Sequence, residues 1–269
     1  MILIDMMNMV FIEYYMTKRV LKERGKEEFT KEDIPFYYHN FFTFFNRIIK
    51  EYGEVVVCWE GEDSLKWRRD IFPDYKRNRD GKKGEEDYKT LMGCIPEIRE
   101  CLNNYPVKQL SVKGAEADDL IFTLAMHYDG DHTIISTDKD LTQILKFKPE
   151  ISIYNPIKKT FAKPHKYLVE EKAIVGDKSD NIGGLYRVGE KKFEKMMEDK
   201  VFFNSIMNKG NNKEIFKQLL KIIDLRNIPN ELKSRIVEAN ENTNYNTLQR
   251  ENVEEFYFRY KLKELLMKW

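Results

Sequence analysis

Short apolar segments alternate with longer amphipathic segments over about the first 175 residues of the chain. Four apolar segments have the continuous, β-branched character of buried strands. They are MILID (1–5), EVVVCWE (54–60), TIIS within residues 131–140, and EISIYN (150–155). Apolar residues with helical spacing predict helices at 29–53 with Thr30 as N-cap, at 85–105 with an interruption near Pro96, at 115–128 and at 166–176.

This alternation of strands and helices predicts an α/β fold with a mostly parallel central sheet flanked by helices. From Gly183 onward the apolar runs have only helical spacing, which predicts a helical C-terminal region. We therefore divide the chain into an α/β domain, residues 1–175, and a C-terminal part, residues 176–269.

Composition narrows the class of protein. Of the 269 residues, 42% are hydrophobic, enough for a sizeable core, yet no apolar run is long enough to span a bilayer. The N-terminus meets an aspartate at position 5, so we expect neither a signal nor a transit peptide. Three cysteines without zinc-ligand spacing predict reduced thiols in a cytoplasmic protein.

Charge is segregated along the chain although the net charge is only +1. Residues 64–83, SLKWRRDIFPDYKRNRDGKK, contain eight lysines or arginines and three aspartates, a local net charge of +5. Acidic residues cluster elsewhere, as in EADD (116–119). A basic segment beside an acidic cluster suits a protein that binds phosphates and also holds metal ions.

Acidic residues recur where strands end or helices begin. Asp5 and Glu60 end two predicted strands, Asp138 and Asp140 follow a third, and Glu116, Asp118 and Asp119 start a helix. Each has an ordinary explanation as a helix cap or a solvated turn. Because functional sites of open α/β sheets form at the carboxyl ends of strands, however, these groups are expected to converge there with Asp177 and Asp180.

So many carboxylates cannot remain ionised side by side without cations. Oxygen ligands favour Mg²⁺ or Mn²⁺ over zinc, and a pair of such ions about 3.5–4 Å apart is a known device for phosphodiester hydrolysis. Competing motifs fail. An EF-hand loop starting at Asp177 would need glycine and glutamate where Ile182 and Val188 stand, and GLYRVGEK (184–191) has Glu190 where a P-loop needs lysine.

Several motifs together resemble the 5′-nuclease family, which includes bacteriophage 5′-exonucleases, flap endonucleases, phage-type ribonuclease H and the 5′-nuclease domain of bacterial DNA polymerase I. They are ILIDMMNMVF, WRRDIFPDYKRNRD, GAEADDL (114–120), STDKDL (136–141) and GDKSDNIGGLYRVGEKKFEKM (176–196). The resemblance implies a PIN-like fold, a helical arch at about 64–90 and a helix-hairpin-helix-like (H3TH) element after residue 176. It also implies a cytoplasmic monomer with no membrane partner.

The implied activity is metal-dependent 5′-3′ exonuclease and flap endonuclease cleavage of DNA, with an RNA–DNA hybrid as a further substrate. The cofactors would be two Mg²⁺ ions, replaceable by Mn²⁺, and a K⁺ ion at the hairpin. Six residues would surround the first metal: Asp5, Glu60, Glu116, Asp118, Asp119 and Asp138. Three would hold the second: Asp140, Asp177 and Asp180.

The resemblance also assigns the basic residues. Lys76 and Arg79 would steer the scissile phosphate, and Tyr75 would stack on an end base. The single-strand path would be lined by Lys66, Arg68, Arg69, Arg77, Lys82 and Lys83. The hairpin would contact duplex phosphates through Gly183, Gly184, Gly189, Lys191 and Lys192.

Three departures from the family pattern keep alternatives open. Glu60 stands where aspartate is usual, the basic residue expected soon after the first strand is missing, and Tyr186 and Arg187 replace a small residue in the hairpin. A catalytically weakened or inactive DNA-binding scaffold of the same fold is therefore the main alternative. An RNA-processing enzyme of PIN type would lack the basic arch and hairpin, and a divalent-ion-binding structural protein would not need the +5 segment.

Overall fold

Five parallel strands and one antiparallel edge strand form a single sheet in the computed structural model, which describes residues 1–266 apart from the side chains of residues 82 and 83. The strands are β1 (Ile2–Asp5), β2 (Val55–Cys58), β3 (Val107–Leu110), β4 (Thr133–Ile135), β5 (Ser152–Asn155) and β6 (Thr160–Phe161). Their order across the sheet is β3-β2-β1-β4-β5-β6, with only β5 and β6 antiparallel. The predicted mostly parallel sheet is confirmed.

Twelve helices surround this sheet within the described residues. They are α1 (Met6–Glu23), α2 (Ile34–Tyr52), α3 (Lys66–Ile71), α4 (Glu86–Leu102), α5 (Ala117–His127), α6 (Leu168–Ile174), α7 (Glu190–Glu198), α8 (Lys200–Met207), α9 (Asn212–Ile223), α10 (Asn230–Asn242), α11 (Arg250–Arg259) and α12 (Lys263–Leu266). Short 3₁₀ turns cover Lys31–Asp33, Arg77–Arg79, Gly81–Gly84, Asp140–Lys146 and Leu225–Asn227. The predicted helical C-terminal region is confirmed for the part of it that the structure describes.

Three elements were not predicted from the sequence. Helix α1 follows β1 without a break, because Asp5 ends the strand and its side chain accepts a hydrogen bond from the Asn8 N–H as the helix cap. Strand β3 has only its two end residues buried, so it lacks the apolar run that marks the other strands. Strand β6 is two exposed residues long.

Helix α4 corrects the prediction of an interruption near Pro96, since it continues through that residue. Proline removes one hydrogen bond to the carbonyl four residues earlier, here that of Met92. Pro96 lies on the exposed face of the helix, as does Gly93 beside Met92. Water can therefore hydrogen-bond to the Met92 carbonyl, and the packing of the buried face stabilises the helix through Pro96.

Hydrophobic residues on the two faces of the sheet form two separate cores. Ile4 and Val57 point into the core shared with α1, α2 and α4, whereas Leu3 and Val56 point into the core shared with α5 and α10. The C-terminal part takes part in both: Val253, Phe256 and Tyr257 pack in the first, Leu232 and Ile236 in the second. The boundary at residues 175/176 stays a prediction, and hydrophobic packing crosses it.

Cys58, Cys94 and Cys101 are all buried as free thiols. None of the helices within residues 1–266 combines the length and the apolar character needed to cross a bilayer.

A substitution of Phe42 tests the packing of the core formed with α1, α2 and α4. Its ring is fully buried on α2, with the rings of Tyr38, Phe41, Phe256 and Tyr257 centred within 6.2 Å. Phe42→Ala should lower the free energy of unfolding by about 3–5 kcal/mol, because it leaves a cavity among these rings. Urea unfolding followed by circular dichroism measures this. The matched control Phe258→Ala removes a ring that is 77% exposed and should change stability by no more than about 0.5 kcal/mol. Equal losses in the two variants would contradict the packing described.

Candidate active site

Acidic residues from three neighbouring strand ends and one helix start face one cavity. Asp5 ends β1, Glu60 follows β2, and Asp138 follows β4; in the parallel register these ends lie side by side. Glu116 precedes α5 as its N-cap. Parallel strands explain the convergence, because all their carboxyl ends lie at the same rim.

The cavity has a volume of about 180 Å³. Its lining combines carboxylates, two basic residues and a few apolar side chains: Asp5, Met7, Asn8, Phe11, Glu60, Lys76, Arg79, Glu116, Ala117, Asp118 and Asp138. Five of the nine acidic residues predicted as metal ligands therefore line one small space.

Arg68 and Lys76 neutralise the α5 end of this cavity. Arg68 donates to Glu116 Oε2 at 2.7 Å and to both carboxylate oxygens of Asp119 at 2.7 and 3.0 Å. Lys76 forms an ion pair with the other oxygen of Glu116. Both basic side chains are buried, so these charge-assisted hydrogen bonds form in a low-dielectric environment where they are strong.

Lys172 on α6 gathers the remaining three acids. Its ammonium nitrogen lies 2.6 Å from Asp140 Oδ1, 2.5 Å from Asp177 Oδ2 and 3.8 Å from Asp180 Oδ2. Asp180 also accepts from Arg79 Nη2 at 3.1 Å. This second cluster places α6 and the loop after it against the 3₁₀ turn that begins at Asp140.

Hydrogen bonds join the two clusters into one network. The Asp140 N–H donates to Asp138 Oδ1 at 2.8 Å, and Ser136 Oγ donates to Asp5 Oδ2 at 3.1 Å. All nine predicted ligands thus lie in one charged region. As the side chains stand, no three or more acidic, histidine or cysteine residues within the described set are arranged to hold a metal ion. Lysine and arginine side chains lie between the carboxylates instead.

Burial and mutual repulsion shift the pKa values of these acids. Burial, only partly offset by two hydrogen bonds, together with the charges of Asp138 and Glu60 raises the pKa of Asp5 to about 7. Burial likewise raises the pKa of Asp118 well above its usual value. For Glu116, burial is outweighed by the charges of Lys76 and Arg68, which lower its pKa.

The second cluster shows the same competition. Burial and the charge of Asp138 raise the pKa of Asp140 to about 6, despite the nearby Lys172. Burial of Asp177 is outweighed by hydrogen bonds from Lys172 and Ser179, which lower its pKa to about 2.

Although the described side chains are not arranged around an ion, the chemistry of the ligand atoms at the cavity fits a divalent cation. Asp118 Oδ1 is buried against the cavity with no hydrogen-bond partner, and Asp5 is only partly ionised near neutral pH. A divalent ion would satisfy the first atom and favour ionisation of the second. The ligand atoms are carboxylate oxygens, which suit Mg²⁺ or Mn²⁺.

Three residues are placed differently from their predicted roles. Arg68, predicted to line the single-strand path, is 1% exposed and its guanidinium lies 4.2 Å from the Trp67 ring. Tyr75, predicted to stack on a base, is buried and its hydroxyl donates to Glu116. Asp119, predicted as a ligand, is fully buried and binds Arg68 and Trp67 rather than lining the cavity. One reason explains all three placements. A buried carboxylate is unfavourable without hydrogen-bond donors, so Arg68 and Tyr75 are turned inward to donate to buried Glu116 and Asp119.

The other basic residues of the predicted path lie at the surface. Lys66 pairs with Asp70 at 2.5 Å, Arg69 donates to the Tyr75 carbonyl at 2.9 Å, and Arg77 is exposed. The side chains of Lys82 and Lys83 lie outside the described residues. The segment contains α3 and two 3₁₀ turns, so the helical arch stays a prediction.

Backbone contacts tie this basic segment to the loop after α6. The Lys76 N–H donates to the Asp180 carbonyl at 2.9 Å, and Lys76 adopts a left-handed backbone with φ 54°. Asn78 Nδ2 donates to the Lys178 carbonyl and Asn181 Nδ2 to the Asp74 carbonyl, both at 2.8 Å. These hydrogen bonds hold Lys76 and Arg79 over the cavity.

The predicted hairpin element is a turn between α6 and α7. Gly184 has φ +66°, and a Cβ there would lie 2.6 Å from the backbone of Gly176, so glycine is required. Gly183 and Gly189 face open space. Lys191 and Lys192 are exposed in the first turn of α7, and Lys192 Nζ donates to the Arg187 carbonyl at 2.7 Å. Their contacts with DNA stay predictions.

Three residues at the site were missed from the sequence. In the sequence Lys172 is one residue of a predicted helix and Phe11 one residue of an apolar run, and neither pattern indicates a site. Asn8 exchanges hydrogen bonds with Thr137 at 2.9 Å and so fixes the loop that carries Asp138. The sequence feature that could have identified Asn8 is a single amide side chain within an apolar run, three residues after the aspartate that ends the first strand.

Comparison with known proteins identifies a family and several relatives of this chain. The family model described as "5′-3′ exonuclease, N-terminal resolvase-like domain" matches residues 1–175. A 5′-3′ exonuclease of Mycoplasmopsis pulmonis is 27% identical over 83% of this chain and 82% of its own length. One of Bacillus subtilis is 31% identical over 54% of this chain, which spans only 52% of that relative.

Solved structures support the fold. A crystal structure of the bacteriophage T5 flap endonuclease, described as a pseudo-enzyme-product complex with DNA and metal ions, aligns with a TM-score of 0.57 at 19% identity. A T5 5′-exonuclease structure with bound zinc aligns with a TM-score of 0.53 at 18% identity. The alignments cover 98% and 97% of both chains, respectively. At this identity the likeness concerns the fold alone.

Arg68→Met tests the neutralisation of the α5 end. The substitution leaves Glu116 and Asp119 buried without their guanidinium, so the free energy of unfolding should fall by about 3–5 kcal/mol at pH 7. Arg77→Met, at an exposed position of the same segment, should change it by no more than about 0.5 kcal/mol. Denaturant unfolding measures both; similar stabilities would show that Arg68 is not needed there.

Asp5→Asn tests the raised pKa of Asp5. Because the folded-state value of about 7 exceeds the ordinary 3.8, the folded protein holds this proton more tightly, and stability is lost as pH rises through that window. Asparagine cannot ionise. In chelator-containing buffer the variant should therefore become more stable relative to the wild type as the pH rises from 5 to 8, by up to about 2.7 kcal/mol, and the difference should level off above pH 7. Asp74→Asn, at an exposed position, should show no such trend in urea unfolding. A constant difference across pH would refute the shift.

Proposed function

Since the chain belongs to the 5′-3′ exonuclease family, we propose that it is a metal-dependent 5′-3′ exonuclease and flap endonuclease acting on DNA. One observation carries the proposal: five carboxylates from four separate segments line a single cavity with Lys76 and Arg79. A plain DNA-binding surface does not require a cluster of acids, whereas phosphodiester hydrolysis with divalent metals uses such acids as metal ligands.

We assign the metal ligands by position. Asp5, Glu60, Glu116, Asp118 and Asp138 line the cavity and are the candidates for direct contact with the first ion; Asp119 supports them through Arg68. Asp140, Asp177 and Asp180 are the candidates for the second. When bound, two Mg²⁺ ions would activate a water molecule and clamp the scissile phosphate. Lys172 and Lys76, which now neutralise these acids, would then exchange partners.

The chain's own basic groups would position the substrate. Lys76 and Arg79 face the cavity and offer donors to a non-bridging phosphate oxygen. Tyr75 would act through Glu116, to which its hydroxyl donates, rather than by stacking on a base. Water adds to phosphorus as the bond to the 3′ oxygen breaks, so the products carry a 5′-phosphate and a 3′-hydroxyl.

The α6–α7 turn would hold the duplex. Exposed Gly183 and Gly189 allow a phosphate to approach the backbone N–H groups at the start of α7, and Lys191 adds a charge. A K⁺ ion at this turn, action on RNA–DNA hybrids, a monomeric state and cytoplasmic location belong to the same proposal. Glu60 lines the cavity in place of the usual aspartate, which supports a working site over a decayed scaffold.

A side-by-side digestion tests the function. 5′-labelled flap, blunt duplex and RNA–DNA hybrid are incubated with Mg²⁺, and with a chelator as a control. The flap should be cut, and Asp138→Asn should cut it at least about 100-fold more slowly while still binding DNA. The exposed Asp129→Asn serves as the matched control and should retain the wild-type rate. Chelator-insensitive cleavage, or full activity in Asp138→Asn, would overturn the assignment.

A further inference from the structure

A second cavity adjoins the acidic one and has no role in the mechanism above. Its volume is about 540 Å³, within the range of sites for small ligands, and Asp138 lines both cavities. It lies between the end of β4, the β5–β6 hairpin and the segment leading into α6. Whatever occupies it is therefore in contact with the wall of the proposed active site.

The charge of this cavity is opposite to that of its neighbour. Lys139, Lys158 and Lys163 line it and are all exposed, whereas Asp138 is the only carboxylate lining it among the described residues. Lys159, also exposed, follows Lys158 at the tip of the hairpin. Lysines gathered around a concave surface attract phosphate groups.

Two large apolar side chains stand exposed among these lysines. Phe161 is 61% exposed and Ile157 57%, and both line the cavity. The Phe161 ring is supported by Tyr154, with the centroids 5.5 Å apart. An exposed, braced aromatic ring beside lysines is the arrangement that proteins use to stack an unpaired base while holding its phosphates.

The strand order sets where this surface lies. Along the rim the order is β2, β1, β4, β5 and β6. The basic segment of residues 64–83 follows β2, the acidic cavity lies over β1 and β4, and the lysine-lined cavity lies at β5 and β6. A polyanion crossing the acidic cavity therefore meets positive charge on both sides.

We propose that the cavity of the β5–β6 hairpin binds unpaired nucleotides of the substrate strand, with Phe161 stacking on a base and Lys158 and Lys163 holding the adjacent phosphates. This inference rests on the proposed function and deepens it by adding a second strand-binding surface. The ligand is an unpaired segment rather than duplex, because a ring can stack only on a base whose face is free.

Equilibrium binding with a chelator present tests the surface without cleavage. A flap substrate with 2-aminopurine in its unpaired segment should bind Phe161→Ala about tenfold more weakly than wild type, and the quenching of its fluorescence on binding should be lost. Phe161→Trp should keep both affinity and quenching. Phe258→Ala, which removes a ring that is 77% exposed from α11, is the matched control and should bind like wild type.

The lysines have a separate readout in the salt dependence. Lys158→Ala/Lys163→Ala should reduce the slope of log K against log salt by about 1.4, the value for two contacts with single-stranded phosphates. The double variant Lys50→Ala/Lys261→Ala is the control. Lys50 precedes β2, so it lies at the opposite end of the sheet, and both lysines are exposed. Its slope should equal that of the wild type.

The outcomes separate this inference from the proposed function. Wild type that neither binds nor cuts DNA would defeat the proposed function. Wild type that cuts DNA, with Phe161→Ala binding like Phe258→Ala and the lysine slope unchanged, would overturn the inference alone. A third outcome would also overturn it: a free 5′-mononucleotide reverses the quenching of 2-aminopurine, and all variants bind the flap equally well. The cavity would then bind a released product rather than the unpaired strand. Unchanged melting temperatures exclude misfolding as the cause.

Discussion

Repulsion among the carboxylates at one rim of the sheet is the constraint on which the rest of the structure depends. The parallel topology brings Asp5, Glu60 and Asp138 to neighbouring strand ends, and the start of α5 adds three more acids. Ionised groups so close together, three of them buried, would oppose folding unless cations from other segments neutralised them. Arg68, Lys76 and Lys172 supply that charge.

These buried cations also determine the shape of the region. Arg68 and Lys76 belong to the segment after β2, so their ion pairs draw that segment across the rim to α5. Lys172 draws α6 and its following loop to Asp140. Backbone hydrogen bonds between the basic segment and residues 177–181 complete the enclosure. The electrostatic network thus builds the walls of the cavity as well as balancing its charge.

The same balance explains how the proposed metal site can exist in a folded protein before any metal binds. Lysine and arginine side chains occupy the positions between carboxylates, and mobile ammonium groups can yield to divalent ions and a phosphate. Arg68 differs, because its fork makes hydrogen bonds to two carboxylates and a backbone carbonyl. We therefore regard Arg68 as permanent framework and Lys76 and Lys172 as exchangeable partners.

The sequence alone determined the parallel α/β sheet, the helical C-terminal region and the rim at which the acids meet. These follow from local periodicity and from a rule of topology that needs no side-chain detail. It missed α1, which follows β1 without a break, and β3, in which only the two end residues are buried. It could identify Asp119, Arg68 and Tyr75 as members of the site but not their orientation, which only the tertiary structure decided. Whether a charged side chain faces a ligand or a buried partner depends on which distant groups surround it, and Arg68 meets Glu116 and Asp119 across about fifty residues of chain. Lys172 lies beside Asp140, and the β5–β6 hairpin beside Asp138, for the same reason: packing between separate elements, not local spacing, places them there.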